Sequence, residues 1–404
     1  MKSSFNICNI TIALSLFAIL ACVSCEVDPF AEPDDSGQFI KFFGEVNDEN
    51  GYAAIEADNG DFIFTGSTNS TEDGSTNILI AKADVNGNRV WQKQVEQPLN
   101  QTSKDIELLS NGDAFIFGHT TLSNGTTDFL LLHINSEGEE VASFTYGDST
   151  KNEEGLGLIP SVSGGYLLIG TIENNASDKD MLITKVDDSG NEIFSNTYGL
   201  IDEFDAVTSV VENEAGELVW CGTLNRNGTQ SMRVVSTDSL GSLIWDYTYQ
   251  EEINNSQSVA SDMKKITGGY IITGKSFTNS GESNVLLVNI SDKGTFKWAA
   301  DLTSTFSQEG NSVARTSDGG YTVVGKILTT AGTSDIYLLK TNSLGQLLWS
   351  KTFGGEYDDS GNFVKESSDR GLIILGTAKV NNNNVIEFIK TDADGNTPGD
   401  GGEK

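Results

Sequence analysis

The chain has 404 residues, a formal net charge of -33 and an apolar content of 37%. Such an acidic surface repels phosphate backbones, which argues against nucleic-acid binding, while the apolar content is sufficient for a buried core. The only histidines are His119 and His133, which argues against a histidine-based metal site or catalyst.

The N-terminal segment has the pattern of an export signal. One charge, Lys2, precedes an apolar run from Ile10 to Ala21 that is too short to cross a bilayer. The motif Ile19-Leu20-Ala21-Cys22 resembles the lipobox of bacterial lipoproteins, in which the cysteine is lipidated. We expect a signal peptide and lipobox over residues 1–24, with lipidation at Cys22. Cys25 is the alternative lipidation site, and a plain cleaved signal peptide is the alternative to both.

Residues 25–37 are acidic and contain Pro29 and Pro33, which indicates a flexible tether. Acidic residues directly after the lipidated cysteine resemble the surface-export signal of Bacteroidota lipoproteins. The resemblance implies an exported protein that is lipid-anchored in the cell envelope, at the outer membrane or the cell surface.

A repeat of about 52 residues runs through the rest of the chain and predicts its fold. An apolar strand that ends in glycine recurs seven times, at Gly66, Gly118, Gly170, Gly222, Gly274, Gly325 and Gly376. A second glycine follows an Asp, Asn or Ser by three positions, which is typical of a tight hairpin. These turn glycines are Gly87, Gly138, Gly190, Gly241, Gly294, Gly345 and Gly395.

Each unit therefore contains four short strands, which is typical of a β-propeller blade. The seventh unit lacks its outer strand, whereas residues 39–44 supply an additional strand before the first unit. We predict an all-β, closed seven-bladed β-propeller over residues 38–396, with the last blade completed by the N-terminal strand. Residues 397–404 are expected to form a flexible tail.

Two further residue types fit this architecture. An aromatic residue follows the turn glycine by four positions in five units, at Trp91, Phe194, Trp245, Trp298 and Trp349, and the tryptophans predict packing between blades. Cys221 is the one cysteine within the propeller, and its apolar strand predicts a small buried side chain rather than a reactive thiol.

The sixth unit contains Asp318-Gly319-Gly320-Tyr321 and Trp349-Ser350-Lys351-Thr352-Phe353-Gly354-Gly355. These motifs resemble the Gly-Gly-Tyr propeller repeats of Bacteroidota lipoproteins, which are often labelled bulb-type lectin-like and imply no defined activity. The mannose motif of bulb lectins does not occur here. The glycine-to-tryptophan spacing also resembles tryptophan-docking propellers distantly, but the adjacent cysteine pair of quinoprotein enzymes is missing from the sequence.

Seven acids or amides, each 17 residues before a strand-ending glycine, are the candidate ligand-binding residues. They are Glu49, Gln101, Glu153, Asp205, Gln257, Gln308 and Asp359. One interpretation is an electronegative funnel at the channel mouth that attracts a cation, a basic protein segment or a polar sugar. The other is that each side chain bonds the backbone of a neighbouring blade. We favour the second, because a column present in every unit is what packing produces.

No cofactor is expected. The segment Asp392-Ala393-Asp394-Gly395-Asn396 looks like the start of a calcium loop but lacks the downstream Glu, so a plain hairpin is preferred and calcium is the lesser alternative. Acids are too abundant to identify a catalytic pair, and no enzyme activity is predicted.

We predict a non-enzymatic, lipid-anchored binding or scaffold module of the cell envelope that uses its loop-bearing face. Its ligand is a protein or a glycan, its membrane contact is the N-terminal lipid alone, and nucleic acid is not a partner. The alternative is a glycan-binding or glycan-processing protein that uses the acidic funnel.

Overall fold

The computed structural model describes residues 37–44, 47–69, 71, 74–95, 99–175, 178–198, 204–226, 228–239, 241–253, 257–380 and 383–398. The chain divides into Met1–Asp34 and Asp35–Lys404. The signal peptide, the two candidate lipidation cysteines and the tether up to residue 36 lie outside the described residues.

Seven four-stranded antiparallel sheets form a ring, so the predicted seven-bladed β-propeller is confirmed. Blade 1 comprises β2 Glu49–Glu56, β3 Phe62–Thr68, β4 Asn77–Ala83 and β5 Arg89–Val95. Blade 2 comprises β6 Gln101–Leu108, β7 Ala114–Thr121, β8 Thr127–Ile134 and β9 Glu140–Tyr146. Blade 3 comprises β10 Asn152–Pro160, β11 Tyr166–Asn175, β12 Asp178–Val186 and β13 Glu192–Tyr198.

The remaining blades follow in chain order. Blade 4 comprises β14 Phe204–Glu212, β15 Leu218–Arg226, β16 Thr229–Thr237 and β17 Leu243–Thr248. Blade 5 comprises β18 Ser258–Ile266, β19 Gly269–Phe277, β20 Ser283–Ser291 and β21 Phe296–Leu302. Blade 6 comprises β22 Gln308–Arg315, β23 Tyr321–Leu328, β24 Ser334–Thr341 and β25 Leu347–Phe353. Blade 7 comprises β26 Ser360–Glu366, β27 Leu372–Val380, β28 Asn383–Lys390 and the N-terminal β1 Phe39–Phe43.

The N-terminal strand closes the ring as predicted. β1 pairs antiparallel with β28, with Phe39 opposite Lys390 and Phe43 opposite Ile386. Both phenylalanines are buried, and the ring of Phe39 lies 5.1 Å from that of Phe388. The first and last segments of the propeller thus share one sheet and one core, which stabilises closure by burial of apolar surface.

The middle strands of each blade are almost continuously buried because the neighbouring blades cover both faces of each sheet. Every residue of β3 is buried, for example. Cys221 in β15 is fully buried, as predicted, and burial raises the pKa of its thiol to about 12, so it stays protonated.

The turn glycines explain how the blades pack together. Gly138 has φ +73° and lies directly under the Trp91 ring of the preceding blade, so it needs both a positive φ and the space that a Cβ would fill. The same contact joins Trp245 to Gly294, Trp298 to Gly345 and Trp349 to Gly395. The predicted inter-blade packing is confirmed for these tryptophans. In blade 3 the ring nearest the next turn glycine, Gly241, is that of Tyr198, while Phe194 packs against the core cluster that includes Trp220 of blade 4.

Candidate functional site

The column of acids and amides lies at the entrance to each inner strand, where most of its described members are buried. Glu49, Gln101, Glu153, Gln308 and Asp359 are each at most 4% exposed. Asp205 belongs to β14, but its side chain lies outside the described part of the chain. None of the described side chains of the column lines the central cavity.

Three members of the column bond backbone groups at or just beyond the end of the outer strand of the preceding blade. Glu153 Oε1 accepts the Asp148 N–H at 3.0 Å, and Asp359 Oδ2 accepts the Gly355 N–H at 3.0 Å. The Gln308 amide donates to the Leu302 carbonyl. Buried side chains with backbone partners are typical of structural hydrogen bonds, and this pattern fits the packing interpretation.

Burial also affects the ionisation of these acids. It raises the pKa of Glu153 to about 7; the Asp148 N–H opposes this shift and the nearby Asp128 carboxylate adds to it. Burial likewise raises the pKa of Asp359, although the Lys379 N–H and the Gly355 N–H favour its charged form. The loops between these blades are therefore held by carboxyl groups whose burial disfavours the charged form.

Gln257 does not belong to the column, and the assignment from sequence is wrong by one residue. The equivalent position is Ser258, which is fully buried and whose hydroxyl accepts the Met232 N–H at 2.9 Å; Gln257 is exposed. The cause is a shorter hairpin in blade 5. Lys265 pairs with Tyr270 five residues later, whereas its equivalent Glu56 pairs with Phe62 six residues later.

In five blades, the residue just before the column provides the bond between blades that the packing interpretation expected of the column itself. Each of these five side chains accepts an N–H from the start of the third strand of the preceding blade. The pairs are Asp48 with Asn384, Asn100 with Thr76, Gln257 with Gln230, Ser307 with Ser283, and Asp358 with Ser334. Asp, Asn, Gln and Ser share an acceptor oxygen, so the signal in the sequence is a shared function rather than a shared residue type.

A different set of residues lines the central cavity, which has a volume of about 220 Å³. Each inner strand has a β-bulge, and the bulge directs an additional residue of each blade toward the axis. These residues are Tyr52, Lys104, Leu156, Thr208, Ser261, Asn311 and Asn362. This set could not be predicted from the sequence, because its side chains have no chemical property in common.

Asp262 is the most highly bonded side chain of the cavity. Its Oδ1 accepts the Met263 N–H at 2.8 Å, the Ser209 hydroxyl at 3.1 Å and the Lys264 ammonium at 3.0 Å. Its Oδ2 accepts the Ser312 hydroxyl at 3.2 Å and the Val313 N–H at 3.1 Å. The carboxylate thus joins blades 4, 5 and 6, which is a structural role.

Asp105, Lys104 and Lys264 complete the charged part of the cavity. Asp105 accepts the Leu158 N–H of blade 3 at 2.9 Å, while desolvation inside the ring raises the pKa of its carboxyl. Desolvation opposes the charge of Lys264, but the neighbouring Asp262 carboxylate outweighs it and the pKa of the ammonium is raised. Two carboxylates and two ammonium groups thus line the cavity, so its wall offers a ligand little uncompensated charge.

The loop-bearing face, formed by the loops between blades and by the loops between second and third strands, has exposed acids of another kind. Glu251 and Glu252 after β17, and Glu356 after β25, are exposed and form no ion pair within the described residues. On the opposite face many acids have structural partners. Asp187, for example, accepts the Ser189 N–H of its own turn, and Asp318 pairs with Lys340 at 2.8 Å.

The described part of the chain contains no group of three or more His, Cys, Asp or Glu side chains that could hold a metal ion. Both carboxylate oxygens of Asp392 accept bonds within their own turn, from the Asp394 N–H and from the Asn396 amide.

Over the same described ranges, no helix is long and apolar enough to span a membrane.

Comparisons with known proteins agree on the fold. Neither a family model nor a curated protein matches this chain. An ulvan lyase of polysaccharide lyase family PL25 is similar in structure, with a TM-score of 0.58 and 9% identity over 88% of this chain and 96% of that one. A puromycin hydrolase gives a TM-score of 0.56 and 11% identity over 86% of this chain and 54% of that one. A protein of unknown function from Dyadobacter fermentans covers 88% of this chain and all of its own, at 10% identity and a TM-score of 0.48.

These identities are too low to carry an activity, so the likeness concerns the β-propeller fold alone. A β-propeller is consistent with a binding or scaffold module. The resemblance to Gly-Gly-Tyr repeat lipoproteins stays a prediction, since no family match supports it.

Proposed function

We propose that this chain is a lipid-anchored, non-enzymatic binding module of the cell envelope that holds a basic segment of a partner protein on its loop-bearing face. Function on a repeat scaffold is located in its loops, where side chains are not required for packing. The exposed acids of these loops are the groups with which a cationic partner is complementary.

One observation carries the proposal: three exposed carboxylates of the loop-bearing face have no internal cation. Glu251, Glu252 and Glu356 are exposed and form no ion pair with another described residue. The central cavity, by contrast, neutralises Asp262 with Lys264. Charge that the fold does not use is available for steering and orienting a partner.

The test compares two triple variants of equal net charge. The first replaces Glu251, Glu252 and Glu356 by Gln on the loop-bearing face. The control replaces three exposed acids of the opposite face by their amides, at Asp188, Glu192 and Glu214. The probe is a fluorescent octalysine peptide at low salt, and we expect roughly tenfold weaker binding for the first variant and less than about twofold for the control. Equal losses in both variants would mean that only bulk charge attracts the peptide, and the proposal would fail.

The anchoring part of the proposal has its own test. Mass spectrometry of the membrane fraction should identify a lipidated N-terminal cysteine at residue 22, and the C22A variant should leave the membrane. If the chain with Cys22→Ala stays lipidated, Cys25 is the anchor. A soluble, unmodified mature chain would overturn lipid anchoring.

A further inference from the structure

A second cleft, of about 390 Å³, opens on the loop-bearing face beside blades 6 and 7. Its walls are apolar and come from β1, β25 and β27, with Ile40, Phe42, Phe353, Ala378 and Val380. Gly354 and Gly355 form part of the rim, and a Cβ on Gly355 would meet nothing within 4 Å, so the cleft is open there. The cleft therefore accommodates an apolar chain.

The charged groups of the cleft are acidic in excess. Glu387 and Asp359 line it, and each is only 4% exposed. Asp359 accepts two backbone N–H groups, whereas Glu387 Oε2 is buried without a hydrogen-bond partner. Asp335 Oδ1 is likewise buried without a partner, and this carboxylate lies against Gly354.

No described cation neutralises this group. Lys379 also lines the cleft, but it forms no ion pair with Glu387, Asp359 or Asp335 among the described contacts. Burial raises the pKa of Glu387 to about 7, and the carboxylates of Asp359 and Asp335 add to the shift. A buried acid of this kind is stabilised in its charged form by a cation that enters the cleft.

The cleft also departs from the repeat. At the position of Glu387 the other third strands have Leu79, Leu130, Leu182, Arg233, Leu286 and Tyr337. The cross-strand partners of those residues are polar, namely Gln94, Thr145, Thr197, Thr248, Asp301 and Thr352. Blade 7 inverts the pair, because buried Glu387 lies opposite Phe42, which is 57% exposed. A column that packing imposes on every blade does not explain this exception.

We propose that the cleft binds a primary ammonium group on an alkyl stem, in the form of a lysine side chain of a partner protein. Glu387 Oε2 accepts from the ammonium, and the methylene groups pack against Phe42, Ile40 and Val380. The inference rests on the proposed binding role of the loop-bearing face and names the chemistry that one part of this face recognises. The signal for this site in the sequence is the single acid within the otherwise apolar stretch Val385-Ile386-Glu387-Phe388.

The test uses n-butylamine as the probe and n-butanol as its neutral counterpart, with the full chain at pH 8. We expect saturable thermal stabilisation by butylammonium and none by butanol. Binding should be roughly 30-fold tighter at pH 8 than at pH 5.5, because protonation of Glu387 removes the acceptor charge. A lysine-containing tripeptide should compete, and its acetyl-lysine counterpart should not.

Two variants separate this inference from the proposed function. Glu387→Gln should abolish butylammonium binding while circular dichroism shows an intact fold. The loop-face variant of Glu251, Glu252 and Glu356 should retain it. Equal binding by wild type and E387Q, or equal stabilisation by butanol, overturns the ammonium site even if octalysine binding behaves as proposed. If the two triple variants lose octalysine binding equally while butylammonium still binds, the proposed binding role of the loop-bearing face is wrong and the ammonium site is retained.

Discussion

Blades 4 and 7 place a charged residue at the same position of the third strand, and they treat that charge differently. Arg233 pairs across the sheet with Gly222, and Glu387 pairs with Gly376, so both lie opposite a glycine within the second strand. Leucine occupies this position in blades 1, 2, 3 and 5. The substitution of a charge for leucine therefore requires compensation in both blades.

Blade 4 contains its own compensation. The Arg233 Nε donates to Asp246 Oδ1 at 2.9 Å, and Nη2 donates to Asp246 Oδ2 at 2.6 Å, which is a bidentate pair. Glu387 has no such partner among the described residues and instead lies near Asp359 and Asp335. The charge of Arg233 is neutralised within its own blade, whereas that of Glu387 is not. We therefore expect blade 7 to be the blade that binds an external cation.

The largest effect is expected in blade 4. Asp246→Asn removes the partner of a nearly buried guanidinium and should lower the free energy of unfolding by about 3 kcal/mol in urea denaturation. The double variant R233L/D246S restores the arrangement of Leu130 and Ser143 in blade 2 and should stay within about 1 kcal/mol of wild type. A loss below about 1 kcal/mol for D246N would show that the pair is not needed for neutralisation.

In blade 7 the corresponding change should stabilise the protein, and its effect should depend on pH. The folded pKa of Glu387, about 7, exceeds the ordinary value of 4.5, so the folded state binds the proton more tightly. Stability from this group is complete below pH 4.5, declines as pH rises and is fully lost above about pH 7. Glu387→Leu should therefore raise the free energy of unfolding by about 2 kcal/mol at pH 8 and by much less at pH 5.

The measurement is urea denaturation at both pH values, with E387Q as the variant closest in shape. E387Q should reproduce the loss of pH dependence, while E387L should add the effect of apolar packing. The environment inferred for this carboxyl is wrong if the wild type and E387L differ by the same amount at pH 5 and pH 8.

The smallest expected effect tests whether Ser258 or Gln257 is the blade 5 member of the column. Met232, next to Arg233, donates its N–H to the buried Ser258 hydroxyl. Ser258→Ala should cost about 1 kcal/mol because that N–H loses its acceptor, whereas Q257A should cost less than about 0.5 kcal/mol. The reverse order of the two losses, measured as shifts of the urea midpoint, would restore the assignment of Gln257 to the column.

Much of the fold could be predicted because its signals are local and repeat seven times. Gly138 and its equivalents need positive φ in a tight turn, and the chain order of strands follows from the turns. The register within blade 5 could not be predicted. Its first hairpin is one residue shorter, so counting back from Gly274 across that hairpin gives a position that is wrong by one residue. The cavity lining was also hidden, because β-bulges select Tyr52, Lys104 and their equivalents by geometry rather than by chemistry.

The sequence alone determined the number of blades, the closure of blade 7 by the N-terminal strand and the packing of the tryptophans between blades. These features depend on spacing and on conformational preferences of single residues. The tertiary structure decided which acids are buried, which are paired and which remain available to a partner. Burial and pairing depend on side chains that approach from separate blades, as Glu387, Asp359 and Asp335 do. A net charge of -33 thus becomes informative only once the fold separates structural carboxylates from open ones.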